Sequence, residues 1–185
     1  MNKYDRMRED YKPMTIDLLF LAESPPVPWN GHAPFFYNES EGMSPRDLFQ
    51  FMMKALYPTQ WRKVKKDFLT AFKKKSNYYL IDASRSPING NKKKRLSEII
   101  EDDEVIRTIK HLAEEGKFKR DQIRLIIIGK GVHDQFYQYL IDNSHIDTSR
   151  GQYSMCILNK KPLNFPRGNR ATEDFIRKLQ TLVTR

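Results

Sequence analysis

A short apolar run that stops at a carboxylate, a hydroxyl and two prolines constrains the fold more than any other stretch of the chain. The run covers residues 16–22, and it is followed by Glu23, Ser24, Pro25 and Pro26. Such runs are typical of strands buried on both faces, as in parallel sheets, and proline cannot extend a strand ladder. Because ligands of open α/β sheets bind beyond the carboxyl ends of the strands, Glu23 and Ser24 are candidate site residues. Turn chemistry alone also favours serine and proline at this position.

Three further strands alternate with amphipathic helices along the chain. The strands are predicted at residues 78–83, 124–128 and 155–158, and the helices at about 44–57, 61–72, 102–115 and 132–141, with a last one through residue 182. Strands that alternate with helices predict a parallel sheet with helices on both faces and right-handed crossovers. We therefore expect a single α/β domain over residues 1–185, with the polar residues 1–13 as a loose lead-in.

Charge and cysteine content narrow the functional class. The chain of 185 residues has 33 Lys and Arg against 23 Asp and Glu, a net charge of +10 that favours polyanionic partners, nucleic acid above all. Cys156 is the only cysteine, so one chain can form neither an internal disulfide nor a cysteine-based zinc or iron–sulfur site. Neither a membrane-spanning run nor a signal-peptide core is present in the sequence. We expect a monomer in the cytoplasm or another reducing intracellular compartment, without membrane contact.

Polar or glycine-rich motifs follow the predicted strands. In chain order they are Ala22-Glu23-Ser24-Pro25-Pro26, Asp82-Ala83-Ser84-Arg85-Ser86-Pro87, Ile128-Gly129-Lys130-Gly131 and Asn164-Phe165-Pro166-Arg167-Gly168. The first motif opens a long loop, residues 24–42, that contains Phe35, Phe36 and Tyr37. Long loops in compact domains are usually functional or disordered, and this one has too many aromatic residues to be simply disordered.

These motifs and the order of the elements resemble the uracil-DNA glycosylase superfamily. In that family a Gly-Glu-Ala-Pro-Gly-like motif follows strand one, and a nearby loop aromatic stacks on the flipped base. A strand-two motif carries an Asn that reads the base, and a His-Pro-Ser-Pro-like loop after strand four presses into the duplex. The resemblance covers roughly residues 17–182. It implies a three-layer α/β/α sandwich with a central four-stranded parallel sheet in the order 2-1-3-4.

The resemblance also implies roles for individual residues in a DNA glycosylase that needs neither metal nor cofactor. Its partner would be single- or double-stranded DNA, from which a damaged or modified base is flipped out and removed by hydrolysis. The implied catalytic residues are Glu23, Ser24, Asp82 and Asn164. The implied substrate-binding residues are Phe35, Phe36 and Tyr37, of which one stacks on the base, together with Arg85, Phe165 and Arg167. Residues 92–95, Lys-Lys-Lys-Arg, are expected to hold phosphates.

Three departures from the family pattern bear on substrate and activity. The strand-four loop lacks the family's histidine, the four cysteines of the iron–sulfur members are absent, and Asp82 replaces the base-reading Asn. An amide offers a donor to uracil O4 and an acceptor to N3–H, whereas an ionised carboxylate only accepts and repels O4. Asp82 therefore argues against plain uracil specificity. It favours an edge with two donors, such as guanine N1–H and N2–H, or a role as a base.

Other interpretations of the same residues stay open at this point. Phe35 and Phe36 are also typical core residues, and Asp82 and Asn164 are also typical turn residues. For the whole protein, the altered second and fourth motifs favour a non-catalytic nucleic-acid or nucleotide binding module on the same fold. A hydrolase of free nucleosides or nucleotides is a third interpretation, and its activity would depend only weakly on duplex length.

Overall fold

A five-stranded sheet lies at the centre of the computed structural model, which describes residues 3–27, 35–40, 47–59, 64–88, 90–165 and 169–184. The strands are β1 (Leu18–Ala22), β2 (Tyr78–Asp82), β3 (Gln122–Ile127), β4 (His145–Thr148) and β5 (Gly151–Ile157). Their order across the sheet is β2-β1-β3-β5-β4. β1 pairs in parallel with β2 and β3, and β3 pairs in parallel with β5, whereas β4 pairs antiparallel with β5. The α/β class predicted from the sequence is confirmed.

The sheet is covered on both faces. All five residues of β1 are buried, and successive side chains of a strand point to opposite faces, so other parts of the chain must cover each side. This double burial explains why the β1 run is apolar without alternation. The expectation of four strands, all parallel, is corrected to five, because the short β4 adds an antiparallel edge beyond β5.

Seven helices flank the sheet in the described segments. They are α1 (Lys3–Asp10), α2 (Leu48–Leu56), α3 (Lys65–Lys74), α4 (Lys92–Glu101), α5 (Glu104–Glu114), α6 (Lys130–Asp142) and α7 (Asn169–Val183). α2 and α7 pack together, with the rings of Phe51 and Phe175 6.2 Å apart. None of the helices in these segments is long and apolar enough to cross a membrane.

The N-terminal segment contains a helix, so the prediction of a loose lead-in over residues 1–13 is wrong. Tyr4 and Arg8 of α1 lie one turn apart, and both are buried. The Tyr4 ring meets the Phe35 ring edge-on, with their centres 5.1 Å apart. A polar segment this short is not a stable helix by itself. Contacts with distant parts of the chain therefore stabilise it.

α4 and β4 are also absent from the sequence prediction. α4 begins after Asn91, whose side chain accepts a hydrogen bond from Lys94 N at 3.2 Å, and it buries Leu96. Its basic first turn has the composition of a solvated loop. β4 has four residues, of which only Ile146 is buried. A strand this short and polar shows no usable alternation in the sequence.

Two predicted helix starts shift toward the C-terminus. The side chain of Asp47 caps α2 by accepting a hydrogen bond from Gln50 N at 2.7 Å. The start predicted near residue 44 lies outside the described residues. α3 begins at Lys65 rather than near Trp61, and Trp61 too lies outside the described residues.

Candidate functional site

A cavity of about 900 Å³ opens at the carboxyl ends of β1, β2 and β3. Its lining includes seven of the ten residues predicted for the site, namely Glu23, Ser24, Asp82, Asn164, Phe35, Phe36 and Phe165. The position agrees with the rule that ligands of open α/β sheets bind beyond the carboxyl ends of strands. The volume lies in the usual range of small-molecule sites. The structure therefore brings residues from the first, second and fourth motifs, and from the aromatic loop, into one space.

Backbone pairing continues past the end of β1 and fixes the position of Glu23. Ala83 N donates to Ala22 O at 2.8 Å, and Ser84 N donates to Glu23 O at 3.0 Å. On the other side, Ile128 N donates to the backbone of β1 at 2.8 Å. Glu23 thus stands on a strand end that is held by both neighbouring strands.

The Glu23 side chain lies beside the first turn of α6. A Cβ atom placed on Gly131 would be 3.9 Å from Glu23 Oε2. The turn from β3 into α6 is tight because Gly129, the N-cap, adopts a φ of +95°, which favours glycine. The first N–H groups of a helix and its dipole attract negative charge. A carboxylate and a row of backbone donors therefore share one end of the cavity.

Asp82, the last residue of β2, is paired with an arginine from the N-terminal helix. Arg8 Nη2 donates to Asp82 Oδ2 at 2.6 Å, and the two side chains are 8% and 4% exposed. Burial raises the pKa of the Asp82 carboxyl above its usual range, although the Arg8 charge and hydrogen bond act in the opposite direction. Desolvation is thus the larger influence on this carboxyl.

Arg8 joins the site although nothing local in the sequence identifies it. It also donates to Asp5 Oδ1 at 3.0 Å, and its guanidinium carbon lies 5.1 Å from the centre of the Phe35 ring. Arg8 and Asp82 are 74 residues apart in the chain, so no short motif contains both. The one usable signal is the spacing of Tyr4 and Arg8, which places both on the same face of a helix.

A buried asparagine fixes the loop after β5 to the end of β3. Asn159 accepts a hydrogen bond from Ile127 N at 2.9 Å and donates to Ile127 O at 2.8 Å. Further along, Gly129 N donates to Leu163 O at 2.9 Å. These contacts place the two residues after Leu163 at the cavity.

Those two residues, Asn164 and Phe165, are both exposed. Phe165 is 42% exposed, and its ring meets that of Phe51 edge-on at 5.5 Å. Of the other predicted contacts, Arg85 is exposed and is not part of the cavity lining. Arg167 lies outside the described residues.

The three consecutive aromatic residues divide into two roles. Phe35 and Phe36 line the cavity but are only 1% and 5% exposed. Tyr37 lies in the core, where its hydroxyl donates to Leu80 O at 3.1 Å and accepts from Leu80 N at 2.7 Å. β2 is an edge strand, so this hydroxyl satisfies backbone groups that a further strand would otherwise pair. Tyr37 is therefore a core residue, and Phe35 and Phe36 are the members of the predicted stacking set that line the cavity.

The charged side chains of the described lining are mostly acidic. They are the carboxylates of Glu23, Asp47 and Asp82 and the ammonium group of Lys130. Asp47 already caps α2, and Lys130 forms an ion pair with Asp134 on the next turn of α6. Glu23 and Asp82 are thus the carboxylates that the architecture aligns along the sheet edge.

The basic run at the start of α4 is partly engaged in local ion pairs. Arg95 lies 3.2 Å from Glu98 and 3.8 Å from Glu104, measured between charged atoms. Lys94 has a side chain that is 76% exposed. Phosphate binding by this run stays a prediction.

Neither a metal-binding group in the described residues nor a matching protein family indicates a function for this chain. No group of three or more His, Cys, Asp or Glu side chains in the described part of the chain is arranged to hold a metal ion. Comparison with models of known protein families and with curated proteins finds no match. The residues that line the cavity are therefore the basis of the function proposed below.

Proposed function

We propose that this protein is a DNA glycosylase-like hydrolase of the uracil-DNA glycosylase superfamily, which removes a damaged or modified base flipped out of DNA. The observation that carries the proposal is the meeting of Glu23, Asp82 and Asn164 in one cavity with aromatic walls. These residues come from three separate strand-end motifs. Together they suit a site that holds a planar base beside a carboxylate, and a volume of about 900 Å³ accommodates a base with its sugar.

The sheet supports the finer part of the proposal. Its parallel strands run in the order β2-β1-β3-β5, which has the same pattern as the order expected for this superfamily. In this proposal the parallel unit is the uracil-DNA glycosylase-like core, and β4 is an antiparallel addition at its edge.

Hydrolysis at this site would add water across the bond between base and sugar. The water oxygen bonds to C1′ as the C1′–N bond breaks, and the electrons of that bond leave with the base. In this proposal Glu23 accepts a proton from the water and stabilises positive charge on the sugar. The first N–H groups of α6 and the Asn164 side chain are donors for the negative charge on the departing base. The base then takes up a proton, and Glu23 releases the proton that it accepted, so the net reaction consumes one water.

The surroundings of the cavity suit extrusion of a base. A base inside a duplex is out of reach, so it must be flipped out at a cost of a few kcal/mol. Phe165, partly exposed at the cavity, is an apolar group that can enter the gap left in the stack. The net charge of +10 favours contact with the phosphate backbone.

Formation of abasic sites tests the proposal. Labelled single- and double-stranded oligonucleotides carry uracil, hypoxanthine, xanthine, hydroxymethyluracil or an alkylated base, and hot alkali then cleaves any abasic site. We expect strand cleavage with at least one of these bases. If none of these bases leads to strand cleavage, the proposed glycosylase activity is contradicted.

A non-catalytic nucleic-acid or nucleotide binding module is the second candidate. The Arg8–Asp82 pair favours it, because a buried, arginine-bound carboxylate stands where the family reads the base with an amide. Asn164 and Phe165 also stand where the family has its histidine-containing loop. A binding module would show salt-sensitive affinity for the same oligonucleotides, unchanged in Glu23→Gln, and would form no abasic product.

A further inference from the structure

One carboxylate oxygen of Asp82 has no hydrogen-bond partner among the described residues. Arg8 donates to Oδ2, and Oδ1 accepts no hydrogen bond from any residue in the described segments. The side chain is 4% exposed, and Asp82 lines the cavity. A polar atom that is nearly excluded from water is costly unless a partner donates to it. A ligand in this cavity therefore gains most by presenting an N–H or O–H donor to Oδ1.

The chemistry of this acceptor is set by its neighbours. Arginine always carries its charge and Arg8 donates to Oδ2, so the ionised form of Asp82 is an acceptor and not a donor. Glu23 adds a second carboxylate to the same cavity, and Phe35 and Phe36 add apolar atoms to its lining. A carbonyl group placed at Asp82 would meet acceptor with acceptor. Arg8 uses one acceptor site of the carboxylate, and the sites that remain suit a planar ring edge with two N–H donors.

We infer that the cavity binds a purine that presents two adjacent N–H donors, as guanine does with N1–H and N2–H, and that Asp82 is the acceptor for this edge. The inference rests on the proposed function, because it names the class of base that the glycosylase takes. Hypoxanthine keeps N1–H but lacks the amino group, and uracil presents one N–H between two carbonyl groups. Both lose favourable contacts with the carboxylate.

Arg8 is a positioning residue for this recognition. Its guanidinium is bonded to Asp5 at 3.0 Å and to Asp82 at 2.6 Å, and it packs over the Phe35 ring at 5.1 Å. Asp5 and the Phe35 ring fix the position of the guanidinium, and its hydrogen bond to Oδ2 then orients the Asp82 carboxylate. The helix α1 thereby contributes to base recognition without reaching the base.

Binding of free nucleosides tests the inference without turnover. Deoxyguanosine, deoxyinosine and deoxyuridine are titrated against the full chain and followed by ligand-observed NMR. We expect deoxyguanosine to bind roughly tenfold more tightly than deoxyinosine, since one hydrogen bond to a charged group is lost, and deoxyuridine to bind most weakly. Asp82→Asn should remove the preference for deoxyguanosine and strengthen deoxyuridine binding.

Variants of Arg8 test the positioning role. Arg8→Lys keeps a cation beside Asp82 and should retain part of the preference, whereas Arg8→Gln should abolish it. Arg177→Gln changes an exposed arginine of α7 that is paired with Asp174, so this matched control should keep the wild-type preference. Thermal unfolding identifies the variants that fold. If Arg8→Gln does not fold, the deciding result is whether Asp82→Asn loses the preference for deoxyguanosine.

The outcomes separate this inference from the proposed function. Equal affinity for deoxyguanosine and deoxyinosine, or no binding of any of the three nucleosides, overturns the inference. A preference for deoxyguanosine in a protein that forms no abasic sites supports the inference and refutes the proposed glycosylase activity. Abasic-site formation without that preference refutes the inference and leaves the glycosylase proposal standing.

Discussion

At the scale of single residues, burying the Arg8–Asp82 pair at the cavity carries a desolvation cost. Both side chains are almost fully removed from water, and desolvation of two charges offsets much of their mutual attraction. A buried ion pair is therefore rarely a device for stability alone. Under the proposed function its place at the edge of the cavity serves binding, because the pair leaves one carboxylate oxygen for a ligand.

The two residues should be strongly coupled in their effect on stability. Replacing one partner leaves the other charge buried and uncompensated, so we expect Arg8→Met to lower the free energy of unfolding by about 3 kcal/mol. The double variant Arg8→Met with Asp82→Leu should lose much less than the sum of the two single changes. Urea unfolding of the four proteins measures the coupling, and additive losses would contradict it.

Asp82 should also give stability a pH dependence of definite sign. Its pKa in the folded protein lies above the ordinary value of 3.8, chiefly because of burial. The carboxyl therefore contributes stability that is fully present below the unfolded pKa and is lost as the pH rises through the folded pKa. We expect the stability of wild type relative to Asp82→Asn to fall as the pH rises above 3.8. Urea unfolding across this range tests the sign, and a rise would show that Arg8 outweighs burial.

At the scale of elements, the turn between β3 and α6 sets the geometry around Glu23. Gly129 has a φ of +95°, while Gly131 lies inside α6. Both glycines line the cavity, yet only Gly129 needs a conformation that other residues avoid. The two positions therefore form a natural pair for comparison.

Alanine should be tolerated at one of these glycines and not at the other. Gly129→Ala forces a side chain into a strained backbone conformation, which costs about 1–3 kcal/mol. At Gly131 the one described atom that a Cβ meets is Glu23 Oε2, at an ordinary distance of 3.9 Å. Gly131→Ala should leave stability unchanged or raise it by up to about 1 kcal/mol, because alanine is the better helix former. Equal losses for both variants, measured by chemical unfolding, would contradict this difference.

The elements that sequence reasoning predicts and misses differ in where their stability originates. β1, β2 and β3 are predictable because strands buried on both faces carry uninterrupted apolar residues. The end of β1 likewise predicts the position of Glu23 correctly. α1 and β4 are short and polar, and distant contacts stabilise them, as with Tyr4 against Phe35. Asp82 could be assigned to the site because it ends a predictable strand. Its pairing with Arg8 could not be predicted, because Arg8 lies on α1, 74 residues away in the chain.

At the scale of the whole molecule, the cavity and the chain differ in the sign of their charge. The chain carries a net charge of +10, whereas the described lining has three carboxylates and one lysine. Basic groups outside the cavity favour phosphates, and an acidic cavity disfavours them while it accepts donors from a base. This division suits a protein that holds a nucleic-acid backbone outside and a base inside.

The salt dependence of DNA affinity should therefore come from basic side chains outside the cavity and not from the residues that line it. Neutralised phosphates release counterions, so the logarithm of the binding constant should fall linearly with the logarithm of salt concentration. We expect the same slope for wild type and Glu23→Gln, since Glu23 faces the cavity. Fluorescence anisotropy at a series of salt concentrations measures both slopes. Binding that is insensitive to salt would exclude phosphate contacts as the main source of affinity.

The most direct test of the central claim compares base excision by wild type, Glu23→Gln and Glu101→Gln in single turnover, with the base that wild type removes fastest. Glu101 is an exposed glutamate at the end of α4, so its variant is the matched control. We predict that Glu23→Gln loses roughly 10²–10⁴-fold in excision rate while its DNA affinity and melting temperature stay at wild-type values, and that Glu101→Gln is unaffected. Unchanged excision in Glu23→Gln, or a loss explained entirely by weaker DNA binding, would contradict the role of Glu23 in hydrolysis.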